Sequence, residues 1–414
     1  MAVIYLDHAA TTPVLPEVLE AMEPYYKEKY GNPSSSYGTG TKRKEEIEEV
    51  RKVIADSINA SPHEIYFTSG GTESDNWVLK GIRNRYINKN IGYVTSSIEH
   101  HAILHCCDSL KQENVLTTQL QVDEQGIVCT DQIENNLTDD TVLVSLMYAN
   151  NETGAIQPVK KACYLCKEHN ILFHTDAVQA YGHIPLDVKE DGVDFLSASA
   201  HKFGGPKGVG FLYIREGTDL PAMIDGGGQE YGKRAGTENV AGIVGMGVAA
   251  GLAVKRMEED YKKIKRLRDY LERKLLHEIP LSRINGPFGM SRSRSFEPGR
   301  DDIDISTEKR LPGHLNISFQ FIHGPELAAL LDQEGICVST GSACSSGSGN
   351  ISHVLEAMQV PWELAGGTIR ITIGRENTPE EMDRTAAVVR KSVEYLRKKS
   401  ISYEDFYLAY SDRL

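Results

Sequence analysis

Short runs of β-branched and aromatic residues recur through the first half of the chain, at 65–68, 93–96, 142–147, 171–174, 195–198 and 210–214. Each is closed by Ser, Thr, Gly, Asp or a polar neighbour, and their length and composition predict strands. Between several of them lie longer stretches, at 73–88, 101–111 and 159–169, with apolar positions three and four apart. That spacing predicts amphipathic helices. Strand and helix in alternation predict an α/β fold with a large, mostly parallel central sheet covered by helices. From 237 to 277 the pattern becomes one long helical region, small-residue-rich at first and strongly charged from Lys255 to Arg273. The small half suits close helix packing and the charged half suits a solvated connector. A domain boundary is therefore expected near Met257. It separates a large domain, 16–256, from a smaller α/β domain made of 1–15 and 257–414. The latter is expected to hold strands at 314–319 and 368–373 and helices at 325–334 and 380–398.

Two stretches fit neither period. Residues 288–310 are polar, charged and punctuated by Gly and Pro, which reads as a mobile insert. Residues 339–351 are mostly Ser and Gly around Cys344, a linker-like composition that reads as a second mobile loop.

Composition narrows the possibilities. The chain has 414 residues, 40% hydrophobic and 25% charged, enough for a sizeable core and two or three domains. Lys and Arg number 45 against 58 Asp and Glu, a formal charge of −13. With no basic block, direct binding to nucleic acid or to an anionic membrane is not expected. Seven cysteines, an odd number at irregular spacing, argue against a secreted disulfide framework and for reduced thiols in the cytoplasm. The opening MAVIYLDHAATTP lacks a secretory n-region and h-region, and no uninterrupted apolar run approaches a membrane span.

Candidate chemistry falls at strand ends. Lys202, in SASAHKFGGPKGVG, sits past a strand with Ser199 and His201 beside it and a glycine-rich turn after it. A lysine so placed is either an exposed cation or an amine set up for Schiff-base chemistry. Asp176 ends another apolar run, with Gln179 next along. It reads as a helix N-cap or as a carboxylate aimed at a ligand beyond the sheet. Gly71 and Thr72, after the run IYFT, open a helix whose N–H groups would favour a phosphate. His100, in EHH after GYVTSS, is a stacking and proton-shuttling candidate or half of a surface pair. No third ligand has metal-binding spacing, so no metal is expected. Cys344 lies where no core could hold it, which suits a reactive thiol on a flexible arm. Cys163 and Cys166, three apart on an amphipathic helix, suit core packing, and Cys337 suits a strand.

In order along the chain these motifs resemble those of the cysteine desulfurases of the NifS/IscS type, pyridoxal-phosphate (PLP) enzymes of fold type I. The markers are YLDHAATTP, YGNPSSSYG, TSGGTESDN, IEHHA, YANNETG, HTDAVQ, SASAHKFGGPKGVG, DGGGQEYGKRAGTEN, TGSACSSGS and TIRITIGR, spread over almost the whole chain. The resemblance implies that Lys202 carries PLP, Asp176 meets the pyridine nitrogen and Gln179 the ring hydroxyl. His100 stacks on the ring, and Asn151 lies at the cofactor. Gly71, Thr72, Ser199 and His201 hold the phosphate, with Thr237 reaching the phosphate of a partner subunit in a homodimer. Asn32 and Arg370 hold the substrate carboxylate. Cys344 takes sulfur from L-cysteine, leaving L-alanine, and passes it to an iron–sulfur scaffold protein or another acceptor. An aminotransferase or selenocysteine lyase of the same fold shares Lys202 and Asp176 but needs no loop cysteine. A scaffold without catalysis, docking sulfur-relay proteins, would need none of them. The sequence departs from the family pattern at Tyr37, at 349–351 and in the insert. The aromatic, acidic end 401–414 reads either as a docking surface for the scaffold protein or as a helix end packed on the smaller domain.

Overall fold

The computed structural model describes residues 3–87, 89–287, 308–340, 351–400 and 402–403. Cys344, the departures at 349 and 350, nearly all of the insert 288–310 and most of the tail 401–414 lie outside the described residues.

Among the described residues the strands are β1 (Ile4–Tyr5), β2 (Ile65–Thr68), β3 (Ile91–Ser96), β4 (Val115–Leu120), β5 (Thr141–Ser145) and β6 (Leu172–Asp176). There follow β7 (Phe195–Ser199), β8 (Gly210–Ile214), β9 (Ser282–Asn285), β10 (His314–Phe319), β11 (Ile336–Cys337) and β12 (Thr368–Thr372). Seven of them form the large sheet, in the order β2-β8-β7-β6-β5-β3-β4. All its pairings are parallel except those of β8, which runs antiparallel to both β2 and β7. The α/β fold with a mostly parallel sheet is thus as the periodicity predicts. β6, β7 and β8 are buried along almost their full length, as expected for strands covered on both faces. β4 went unread because it is an edge strand with exposed and half-exposed positions between its buried ends, so it shows no apolar run.

Helices at Pro16–Lys27 and Gly38–Ser57 also escaped the sequence reading. The second is highly charged, and Ile47, Val50, Ile54 and Ala55, with Arg43 and Arg51, turn inward. Both pack on the first half of the long helix Val240–Glu278. There small residues are required: a Cβ on Gly245 would meet Met22 Sδ at 2.5 Å, and one on Gly247 would meet Val50 at 2.8 Å. This stretch is apolar enough on average to cross a membrane, yet Ala241, Ile243, Met246 and Ala250 are buried against the protein's own helices. It is a core helix.

The charged half corrects one expectation. It is not a solvated connector: Ile264, Leu267, Leu271 and Leu275 enter a second core, with Leu315 and Ile317 of β10 and Ile369 and Ile371 of β12. The helix runs unbroken across 256/257. Its second half supports a small antiparallel sheet in the order β12-β10-β9. The N-terminal segment links the strands of the small sheets to the large sheet. β1 pairs with β11, Asp7 bridges to Thr372, and Thr12 then reaches the loop after β7.

Candidate active site

The C-terminal ends of β6 and β7 and the turn after β2 open onto one cavity of about 1000 Å³. Ligands bind there in open α/β sheets, outside the carboxyl ends of the strands. The cavity is lined by Gly71, Thr72, His100, Asn151, Asp176, Gln179, Ser199, His201, Lys202 and Arg370, so most of the sequence-predicted residues converge.

Lys202 closes a single helical turn, Ala200–Lys202, directly after β7. Its ammonium donates to the carbonyls of Ala9, at 2.6 Å, and Ala10, at 2.9 Å. The turn is pinned by Thr12, whose backbone N–H and hydroxyl both donate to the His201 carbonyl and whose Oγ1 accepts from Gly204 N–H. Gln179 donates to the same Ala9 carbonyl at 3.0 Å.

Asp176, the last residue of β6, is buried, and its Oδ1 accepts the Val178 N–H at 2.9 Å. Burial raises its pKa, while His100 and Lys202 oppose that rise. A buried carboxyl in this state favours a cationic partner. His100 is the N-cap of the helix His101–Leu110, and its Nδ1 accepts from Ala102 N–H at 3.1 Å. Burial lowers its pKa. The ring is therefore neutral near pH 7, with Nε2 the nitrogen left to carry and exchange a proton.

The anion side is built by close backbone approach. Gly70 has φ +149°, and a Cβ on Gly210 of β8 would lie 2.4 Å from the Ala198 carbonyl oxygen and 2.7 Å from Gly70 Cα. Only hydrogen at Gly210 lets this turn seat against the sheet. Gly71 then begins a helix of 15 residues, and the start of that helix lines the cavity with Ser199 and His201. An amine for an aldehyde, a buried carboxyl for a ring nitrogen and N–H and hydroxyl donors for a phosphate form a set that fits PLP.

Arg370, on β12, is held by Asp7 Oδ1 at 2.8 Å and by the Asn151 carbonyl at 3.1 Å. Its Nε is buried and has no hydrogen-bond partner among the described residues. Two predicted residues are not brought to this cavity. Asn32 is exposed, and its Oδ1 accepts from Ser34 N–H. Thr237 lines a separate cavity of about 250 Å³ with Ser69, Glu230 and Arg234. Tyr37 is exposed at the start of the helix Gly38–Ser57. Cys163 and Cys166 are core residues, and Cys163 donates to the Gly192 carbonyl at 2.9 Å. Burial raises its thiol to about 12. Cys337 is half-buried in β11.

Sequence reasoning missed a row of buried polar groups behind Asp176. His174 Nδ1 pairs with Ser145 Oγ at 2.8 Å, its Nε2 pairs with Ser197 Oγ at 3.0 Å, and Asp75 lies 3.6 Å away. Glu99 accepts from Ser96 Oγ at 2.5 Å and from Met147 N–H at 3.0 Å, and burial lifts it to about 8. A histidine inside the apolar run ILFHTD was the signal available for the first. Asp7 and Glu152, both lining the cavity, were also passed over within motifs noted for other residues.

The model of the aminotransferase class-V family matches residues 4–296 and 298–385. The chain is similar to a protein named cysteine desulfurase IscS from Clostridium botulinum strain Hall, 47% identical over 97% of each chain. It is similar to another of that name from Dictyoglomus turgidum, 48% identical over 95% of each. Among solved structures it is similar to a NifS-like protein, with a TM-score of 0.85 at 38% identity, covering 95% of this chain and all of the other.

Proposed function

Because the chain belongs to the aminotransferase class-V family, alongside its cysteine desulfurases, we propose that it is a PLP-dependent cysteine desulfurase converting L-cysteine to L-alanine. The observation that carries this reading is the convergence of Lys202, Asp176, His100 and Arg370 on one cavity beside a helix N-terminus. Bound PLP would act as the sink for electrons released at the substrate α-carbon. Lys202 holds the cofactor and then moves the α-proton; Asp176 keeps a positive charge at the ring nitrogen. Arg370 orients the substrate carboxylate through its fork of N–H donors. His100 exchanges a proton at Nε2. The Cys344 thiolate attacks the substrate sulfur: a sulfur–sulfur bond forms, the carbon–sulfur bond breaks, and the carbon takes up a proton to give alanine. Cysteine and thiol thus become alanine and a persulfide, which an iron–sulfur scaffold protein or another acceptor receives.

Residues 16–256 and residues 1–15 with 257–414 are the two domains in this reading, with the substrate between them. The protein acts as a homodimer in which Thr237 of each chain completes the phosphate set of the other; its place outside its own chain's cavity supports this. The same arrangement would bring the exposed Asn32 to a substrate carboxylate.

The test is alanine and sulfide release from L-cysteine with a thiol reductant, for the natural protein and for Cys344→Ala. Loss of activity with the visible PLP band intact is expected. Full activity in the variant would favour the selenocysteine lyase or aminotransferase reading, and a colourless, inactive natural protein the scaffold reading.

A further inference from the structure

The segment that carries Cys344 leaves the described fold at Thr340 and rejoins it at Ile351, and both roots rest on one small cluster. At the first, Ser339 exchanges two backbone hydrogen bonds with Arg370, at 3.0 and 2.7 Å. At the second, Ser352 caps the helix His353–Ala357, accepting from Val354 N–H at 3.1 Å. Its hydroxyl proton goes to Glu152 Oε2 at 2.6 Å. Glu152 follows Asn151, whose carbonyl takes an N–H from Arg370. It is buried, lines the cavity and is fixed by Asn150 Oδ1, which accepts its N–H at 2.9 Å.

We propose that Glu152 is a positioning residue for the desulfuration step, fixing the C-terminal root of the Cys344 segment in register with the arginine that holds the substrate carboxylate. The inference rests on Cys344 being the sulfur acceptor. Ser352 meets Glu152 as the donor, and 2.6 Å lies in the range of an O–H bond to a charged oxygen. Burial raises Glu152 to about 7, against the pull of Arg370. The charged groups around it are Arg370, with Asp7 on its far side; Arg310 and His314 pack against Gly154, two residues on. The bond from Ser352 is therefore charge-assisted above pH 7 and neutral below it.

Glu152→Gln keeps the shape and an acceptor oxygen but removes the charge. Single-turnover alanine formation should slow about fivefold at pH 8, the ratio of a charge-assisted to a neutral hydrogen bond, and match the natural protein at pH 6. KM for cysteine, the visible PLP band and the melting temperature should change little. Ser352→Ala removes the bond altogether, with the cap on Val354, and should slow the reaction at pH 8 by at least as much; an unchanged rate at pH 8 in this variant decides against the assignment if the Gln variant does not fold. A Glu152→Gln protein that matches the natural rate at both pH values, or is equally slow at both, would overturn the assignment. A natural protein that forms no alanine would instead overturn the desulfurase reading itself.

Discussion

At the scale of single residues, the site combines groups whose roles depend on their neighbours more than on their type. Arg370 is an instance. Asp7 and the Asn151 carbonyl occupy its two terminal nitrogens and hold the plane of the guanidinium. Lysine could keep the charge but neither hold that plane nor present a fork. Arg370→Lys should therefore raise KM for cysteine about tenfold or more, since a hydrogen bond to a charged group is worth roughly 1.5–3 kcal/mol. The visible PLP band should be unchanged. Steady-state kinetics with an absorption spectrum checks both halves. Arg370, Lys202, Asp176 and His100 were legible because each sits at the edge of a short, recognisable motif. Glu99 and Asp75 were not, because nothing local distinguishes a buried carboxyl from a solvated one; His174 carried only the weak signal of a histidine inside an apolar run.

At the scale of elements, the strands with uniformly apolar runs were read to within a residue or two, as at Ile65–Thr68 and Gly210–Ile214. What failed were elements defined by tertiary contact. β4 is polar because it is an edge, and Gly38–Ser57 is held as a helix because Ile47, Val50, Ile54 and Ala55 dock into the core. The charged half of Val240–Glu278 reads as a connector because its lysines and arginines outnumber its leucines, although every third or fourth residue is in a core. One close approach between elements bears directly on the site. Gly210 on β8 admits the Gly70 turn, and a methyl group there has nowhere to go. Gly210→Ala should push the start of the helix Gly71–Arg85 away from Ser199. Titration of apoprotein with PLP would show weaker affinity, by about tenfold if one charge-assisted phosphate contact is lost.

At the scale of the whole molecule, the buried titratable groups oppose one another in their pH dependence. Burial holds His174 at about 3 and His201 at about 4. Below about pH 6.5 the unfolded chain binds protons that these rings refuse, so stability falls as pH drops. Glu99 works the other way: between 4.5 and about 8 the folded chain keeps a proton that the unfolded chain has released. Stability therefore falls as pH rises through that window. A maximum on the acid side of neutrality follows. Glu99→Gln should flatten the alkaline limb, removing a loss of about 2–3 kcal/mol between pH 6 and 8 at roughly 1.4 kcal/mol per pKa unit. Denaturant unfolding at several pH values measures it; an unchanged slope would show that Glu99 is ionised throughout.

The double backbone pairing of Ser339 to Arg370 also sets a radius of delivery. Cys344 lies five positions past that fixed point, and five residues of fully extended chain span at most about 18 Å. Whatever path the segment takes, the Cα of Cys344 stays within that distance of Ser339, which lines the cavity. If Cys344 is the donor, as proposed, a recipient must bring its own receiving atom within that reach of Ser339, however far away its main footprint on the protein lies.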